Sequence, residues 1–93
     1  MVGLSCTPDP QYIHVTDQYV GDYFGHLTDA GLEAIQQLAK TEAILLDPAY
    51  TSKAFACLID AIKEKKISNS EDVIFVHTGG TPLIFAYGDE LLA

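Results

Sequence analysis

Apolar positions along this chain fall into two kinds of pattern. From residue 29 to residue 41, Leu32, Ile35, Leu38 and Ala39 recur at helical spacing. Thr28 and Asp29 offer an N-cap and a first-turn negative charge, so an amphipathic helix is predicted there. A second helix is signalled by Phe55, Leu58, Ile59 and Ile62. Thr51 or Ser52 is its expected cap, and Lys63, Lys65 and Lys66 crowd the end where the macrodipole favours cations. Other stretches lack that period. Val73-Ile74-Phe75-Val76 reads as a strand buried on both faces. Tyr12 to Val20 alternates in part and is rich in β-formers, and Val2 to Cys6 reads as the end of a strand. Ile44-Leu45-Leu46 is a short apolar run closed by Asp47-Pro48, where proline pushes Asp47 out of helical geometry. The prolines of Thr7-Pro8-Asp9-Pro10 exclude regular structure, and Gly21 to Gly25 is a loop carrying Tyr23 and Phe24. Pro82 to Leu92 is apolar on most sides and predicts a buried or interface helix. The order β, α, short run, α, β, α belongs to an α/β layer, here a partial parallel sheet flanked by helices.

Such a sheet usually needs four or more strands, and only two are convincing. The expectation is a single incomplete domain over residues 1–93, part of a larger sheet, marginal by itself and inclined to oligomerise. A domain of 93 residues buries only about two-thirds of its unfolded surface. Its 48% hydrophobic content still argues for a core rather than disorder. Net charge is −8, with five lysines and no arginine, which removes the electrostatic footprint for nucleic acid or an anionic membrane. Any anion held here must rely on backbone amides, hydroxyls or lysine. Cys6 and Cys57 lack disulfide-framework or metal spacing, and Cys57 sits in an apolar helical pattern as a buried thiol. His14, His26 and His77 form no metal-ligand spacing. With no signal peptide and no stretch near the roughly 20 apolar residues that span a bilayer, a cytoplasmic location is expected.

Chemistry concentrates after the apolar run Val73–Val76, at His77-Thr78-Gly79-Gly80-Thr81-Pro82. A strand that breaks at glycines and enters a helix leaves bare N–H groups, where α/β sheets hold polar ligands. A simple turn in which the glycines serve only the backbone fits the same residues. His77 reads as a satisfied structural histidine and Asp47 as a turn cap.

Asp47-Pro48-Ala49-Tyr50-Thr51-Ser52-Lys53-Ala54, with His77-Thr78-Gly79-Gly80 after the next helix, resembles the C-terminal part of the D-cysteine desulfhydrase and 1-aminocyclopropane-1-carboxylate deaminase family. Gln36 to Leu46 fits the same pattern, and the resemblance runs from about Tyr12 to Phe85. It implies a fold type II, tryptophan-synthase-β-like enzyme that uses pyridoxal phosphate on a small amino-acid substrate. By this resemblance Tyr50 is the catalytic tyrosine facing the substrate; an aromatic that fills core next to a helix start is the alternative reading of the same residue. Thr78 is the hydroxyl that bonds the pyridine nitrogen. Gly79 and Gly80 let the backbone approach the ring edge, since the family holds the cofactor phosphate on a different, upstream loop. Thr51 takes the place where deaminases proper carry a glutamate and counts among the cofactor-binding residues. A neutral hydroxyl at the ring nitrogen makes a weaker electron sink than a carboxylate partner, which favours β-elimination over cyclopropane opening.

Departures from the family are equally specific. Ser52 replaces the usual glycine before Lys53, and Phe24-Gly25-His26-Leu27 stands where relatives have Tyr-Gly-x-Pro, with Tyr23, one residue earlier, as the candidate substitute for that tyrosine. The Thr7–Pro10 segment replaces a helix. Lys53 matches a motif lysine and not the Schiff-base lysine, which the family carries in its N-terminal portion together with the substrate-carboxylate and phosphate loops. The polypeptide alone is therefore expected to be inactive, with that N-terminal portion as its natural partner. The alternative is a free-standing, non-catalytic remnant acting as an oligomeric binding or structural module.

Overall fold

Two helices packed against each other, start beside start, make the packed part of the molecule, seen in a computed structural model that describes Gly3 and residues 7–92. Helix α1 spans Asp29–Glu42, and α2 spans Thr51–Lys63. The expectation for Val2 to Cys6 lies outside the described residues, apart from Gly3. Thr28 Oγ1 accepts the Gly31 N–H at 3.0 Å, which caps α1 as its sequence implies. Lys40 lies in its last turn, and Ala43 closes it in the left-handed region at φ 57°. The helices meet through small side chains. A Cβ on Gly31 would stand 3.2 Å from Ser52 Oγ, and Ala34, Ile35 and Ala56 are buried between the two helices with Leu46 from the connector. Leu38, Phe55 and Ile59 pack against that cluster. Ile62, expected on the buried face, is instead exposed near the end of α2.

The partial parallel sheet is not present. Among the described residues there is no strand: 12–20, 44–46 and 73–76 carry no ladder between them. Strand pairing needs backbone groups of two extended runs facing each other at about 4.8 Å. Here the 44–46 and 73–77 runs are joined by a side chain instead, His77 Nε2 lying 2.8 Å from the Leu45 carbonyl oxygen. Without a flanking ladder the expected two-face burial fails as well. Val73, Ile74 and Val76 are exposed, Ile74 to 89%, and only Phe75 is half-buried, edge-on to Phe55 at 5.1 Å.

Other segments follow the same logic. Asp9 caps a short 3-10 turn over Pro10–Tyr12, and residues 13–18 run on exposed. Tyr19 ties this stretch to α2, its hydroxyl donating to Asp60 Oδ2 at 2.7 Å. That hydrogen bond, with Asp60's charge and partial burial, pushes the Tyr19 phenol up to about 12. The predicted C-terminal helix is a 3-10 helix over Thr81–Tyr87 followed by α3, Gly88–Leu92. It is not buried: Phe85 and Leu92 are about nine-tenths exposed. The radius of gyration, 15.2 Å, exceeds the roughly 12 Å of a compact domain this long, which matches these open segments. No helix among the described residues is long and apolar enough to cross a membrane.

Candidate active site

Asp47 organises the start of α2. Its side chain is fully buried and accepts from the N–H groups of Ala49, Tyr50 and Thr51 at 2.7–2.8 Å and from the Thr51 hydroxyl at 2.6 Å. Burial pushes this carboxyl up, but the four donors outweigh it and hold Asp47 below the ordinary aspartate range. The cap expected from Thr51 or Ser52 thus comes from a residue four positions upstream of Thr51. Pro48 makes this workable by ending the 44–46 run and turning the chain, so the first amides of α2 face the carboxylate. Thr51 is enlisted by the same group: its hydroxyl donates to Asp47 Oδ1 and accepts the Asp47 N–H at 2.8 Å. Its single donor is committed, so Thr51 has none to offer a cofactor. Ser52, also buried, donates to the Pro48 carbonyl at 3.2 Å.

That turn projects Tyr50 outward. Its ring, about half exposed, meets Phe24 edge-on with centroids 5.9 Å apart. The two aromatics wall a cavity of about 360 Å³ that Tyr23, Gly25, Ala49 and Lys53 complete with the 20–22 backbone. Lys53 Nζ donates to the Val20 carbonyl at 2.7 Å, which fastens the 20–25 loop to α2. The loop also holds itself: His26 Nδ1 accepts the Asp22 N–H at 3.0 Å, its ring stacks on Tyr23 at 4.9 Å, and Tyr87 donates to the Gly25 carbonyl at 2.6 Å. The side chain that meets Tyr50 edge-on is thus a phenyl ring, and the second phenol of the lining is that of Tyr23. Lys53 as a cavity wall is the residue local pattern leaves out. Its one signal is its place three residues after Tyr50, on the same helix face.

Thr78, Gly79 and Gly80 form a separate loop, exposed except for the half-buried Gly79, outside the lining of that cavity. Gly79 and Gly80 have φ of 101° and 85°, which a side chain would strain. Gly80 is doubly constrained, because a Cβ there would lie 2.9 Å from Asp47 Cγ. The two motifs therefore meet at Asp47, which carries the Tyr50 amide on one oxygen and has Gly80 against its other side. His77 has both ring nitrogens engaged, with Leu45 and with Gly79. Cys57 is an unpaired, half-buried thiol on α2, less enclosed than its apolar neighbours suggest. Among the described residues no group of three or more His, Cys, Asp or Glu side chains gathers to hold a metal ion.

Comparison with known proteins decides which family this geometry belongs to. The chain is 45% identical over 86 residues to the D-cysteine desulfhydrases of Salmonella newport (strain SL254), Salmonella heidelberg (strain SL476) and Salmonella agona (strain SL483). The chain belongs to the D-cysteine desulfhydrase family, whose C-terminal part it matches. The match takes in 92% of the chain, which spans about a quarter of the length of these curated relatives, 25% in each case. No family profile matches the sequence.

The family is pyridoxal-phosphate dependent, and the residues present fit one edge of that cofactor's ring. Thr78 offers an exposed hydroxyl with no hydrogen-bond partner among the described residues, and the space around Gly79 is open to 4 Å. A hydroxyl donor beside bare backbone suits a flat aromatic nitrogen acceptor. The Lys53 ammonium is engaged by the Val20 carbonyl at 2.7 Å.

Proposed function

We propose that these residues are the substrate-facing and ring-edge part of a pyridoxal-phosphate lyase that acts on D-cysteine or a similar small β-substituted amino acid. In that reaction D-cysteine and water become pyruvate, ammonia and hydrogen sulfide. The cofactor, when bound, supplies the electron sink that makes an amino-acid Cα proton acidic. Thr78 donates its hydroxyl to the ring nitrogen, and Gly79 and Gly80 keep side chains clear of the ring edge. Tyr50 presents its phenol to the substrate, where it holds or moves the proton at Cα or at the departing sulfur. Phe24 makes the part of the wall that meets Tyr50 edge-on apolar, so Tyr50 is the phenol assigned this proton traffic, with Tyr23 beside it in the same cavity. The observation that carries this reading is the 45% identity to D-cysteine desulfhydrases across both motifs.

In this reading residues 12–85 supply the phenol and the ring-edge hydroxyl, and turnover also needs the Schiff-base lysine that the family carries in its N-terminal portion. The decisive experiment grafts residues 12–85 into the matching segment of the Salmonella agona enzyme. Tyr50→Phe should retain the cofactor absorbance and lower turnover by about 10²- to 10⁴-fold. Thr78→Val should retain cofactor and lower turnover about 5- to 150-fold, the worth of a 1–3 kcal/mol hydrogen bond. Full activity in both variants would place the two residues outside the site.

A further inference from the structure

The His77 side chain touches both the 44–46 run and the loop of Thr78. Gly79 N–H lies 3.1 Å from His77 Nδ1, and a backbone N–H can only donate, so Nδ1 presents a lone pair. The Leu45 carbonyl lies 2.8 Å from Nε2 and can only accept, so Nε2 carries the proton. Together the two partners define a neutral ring in one tautomer. The next loop residue, Gly80, rests on the Asp47 carboxylate, so Thr78 and Gly79 are suspended between two anchor points. Those anchors, Leu45 and Asp47, flank Leu46, which is fully buried, and Asp47 also fixes the Tyr50 amide at 2.7 Å.

We propose that His77, as the neutral Nε2–H tautomer, is the positioning residue that sets Thr78 relative to Tyr50 by pinning the loop to the Leu45–Asp47 segment. It touches neither substrate nor cofactor and acts through the backbone of Gly79. The proposal rests on the assignment of Thr78 to the cofactor ring. A ring that donates on one side and accepts on the other holds the two chain segments at one spacing. An aliphatic side chain of similar size would pack there and hold neither.

The test uses the cofactor-loaded graft in the Salmonella agona enzyme, with nitrogen-labelled histidine. At neutral pH the His77 ring should give the neutral Nε2–H signature, and the Gly79 amide should be protected from exchange. His77→Ala should lose that protection about tenfold and lower kcat about tenfold with KM for D-cysteine little changed. His77→Asn, whose Oδ1 stands in for Nδ1, should recover most of both. An Nδ1–H tautomer or a charged ring at neutral pH overturns the proposal without any variant having to fold. So does an Asn variant that behaves like the Ala variant. Loss of Gly79 protection with unchanged kcat overturns it too, and Thr78→Val run in parallel identifies what failed. If Thr78→Val is also silent, the site reading is wrong; if it is impaired, only the positioning role of His77 is lost.

Discussion

Residues 34–35 and 73–76 are equally apolar and reach opposite ends. In the α1–α2 pair Ala34 is fully buried and Ile35 nearly so, whereas Ile74 and Val76 are 89% and 72% exposed. The difference lies in where each backbone finds its hydrogen bonds. A helix closes its ladder within itself, so one facing helix is enough to bury its apolar stripe. An extended run leaves every amide and carbonyl to its neighbours, so apolar side chains alone cannot fix it in place. Hydrophobicity chooses what would be buried; backbone satisfaction decides what is.

Breaking the packed half should have the largest consequences. Asp47→Ala leaves the Ala49, Tyr50 and Thr51 amides without their acceptor and should remove about 2–4 kcal/mol of α2 stability, read as lost amide protection in its first turn. The same carboxylate sets an acid limit. Its pKa is lowered on folding, so it stabilises fully above the unfolded value of about 3.9, and that contribution fades as pH falls through the lower folded value. Helical circular dichroism in the wild type should therefore hold level from neutral pH to about 5 and fall only below about 4, whereas a melt centred near neutrality would contradict this. Ala34→Leu forces a larger side chain into the closest approach of the two helices and should cost about 1–3 kcal/mol in thermal unfolding. Thr28→Ala removes a single cap bond, worth about 1 kcal/mol, and should fray α1 at its start without disturbing α2.

The sharpest contrast comes from the smallest effect. Ile74→Thr, on the exposed run, should change stability by less than about 0.5 kcal/mol. A cost like that of Ala34→Leu would show that residues 73–76 are packed after all, and the distinction between the two regions would collapse.

The two helices are legible in the sequence because their signals are local. Thr28, Asp29 and the spacing of Leu32, Ile35 and Leu38 lie within three turns, and α1 falls within a residue of its expected end. Asp47 shows what local reading half sees. Its role as a turn cap follows from Asp-Pro, but its reach to Gly80 crosses 33 residues and leaves no local mark. The sheet fails for a related reason. Val73–Val76 has the composition of a strand, and composition cannot show whether a partner strand lies alongside. At the site, Tyr50 and Thr78 stand out through a motif resemblance, and Thr51 drops from the donors because a buried hydroxyl is claimed by its nearest carboxylate. That competition is three-dimensional and leaves no trace in spacing.

The eight-residue connector between Glu42 and Thr51 has a consequence in time. Loops near ten residues close in about 10–100 ns, and single helices form within about a microsecond. The helix pair can thus assemble as soon as Lys63 leaves the ribosome, before His77 has followed it out. At about 5–20 residues per second, the Leu45 carbonyl and the Asp47 carboxylate are in place roughly a second before the loop that will use them arrives. Order of synthesis makes one half of the molecule the template on which the other is set.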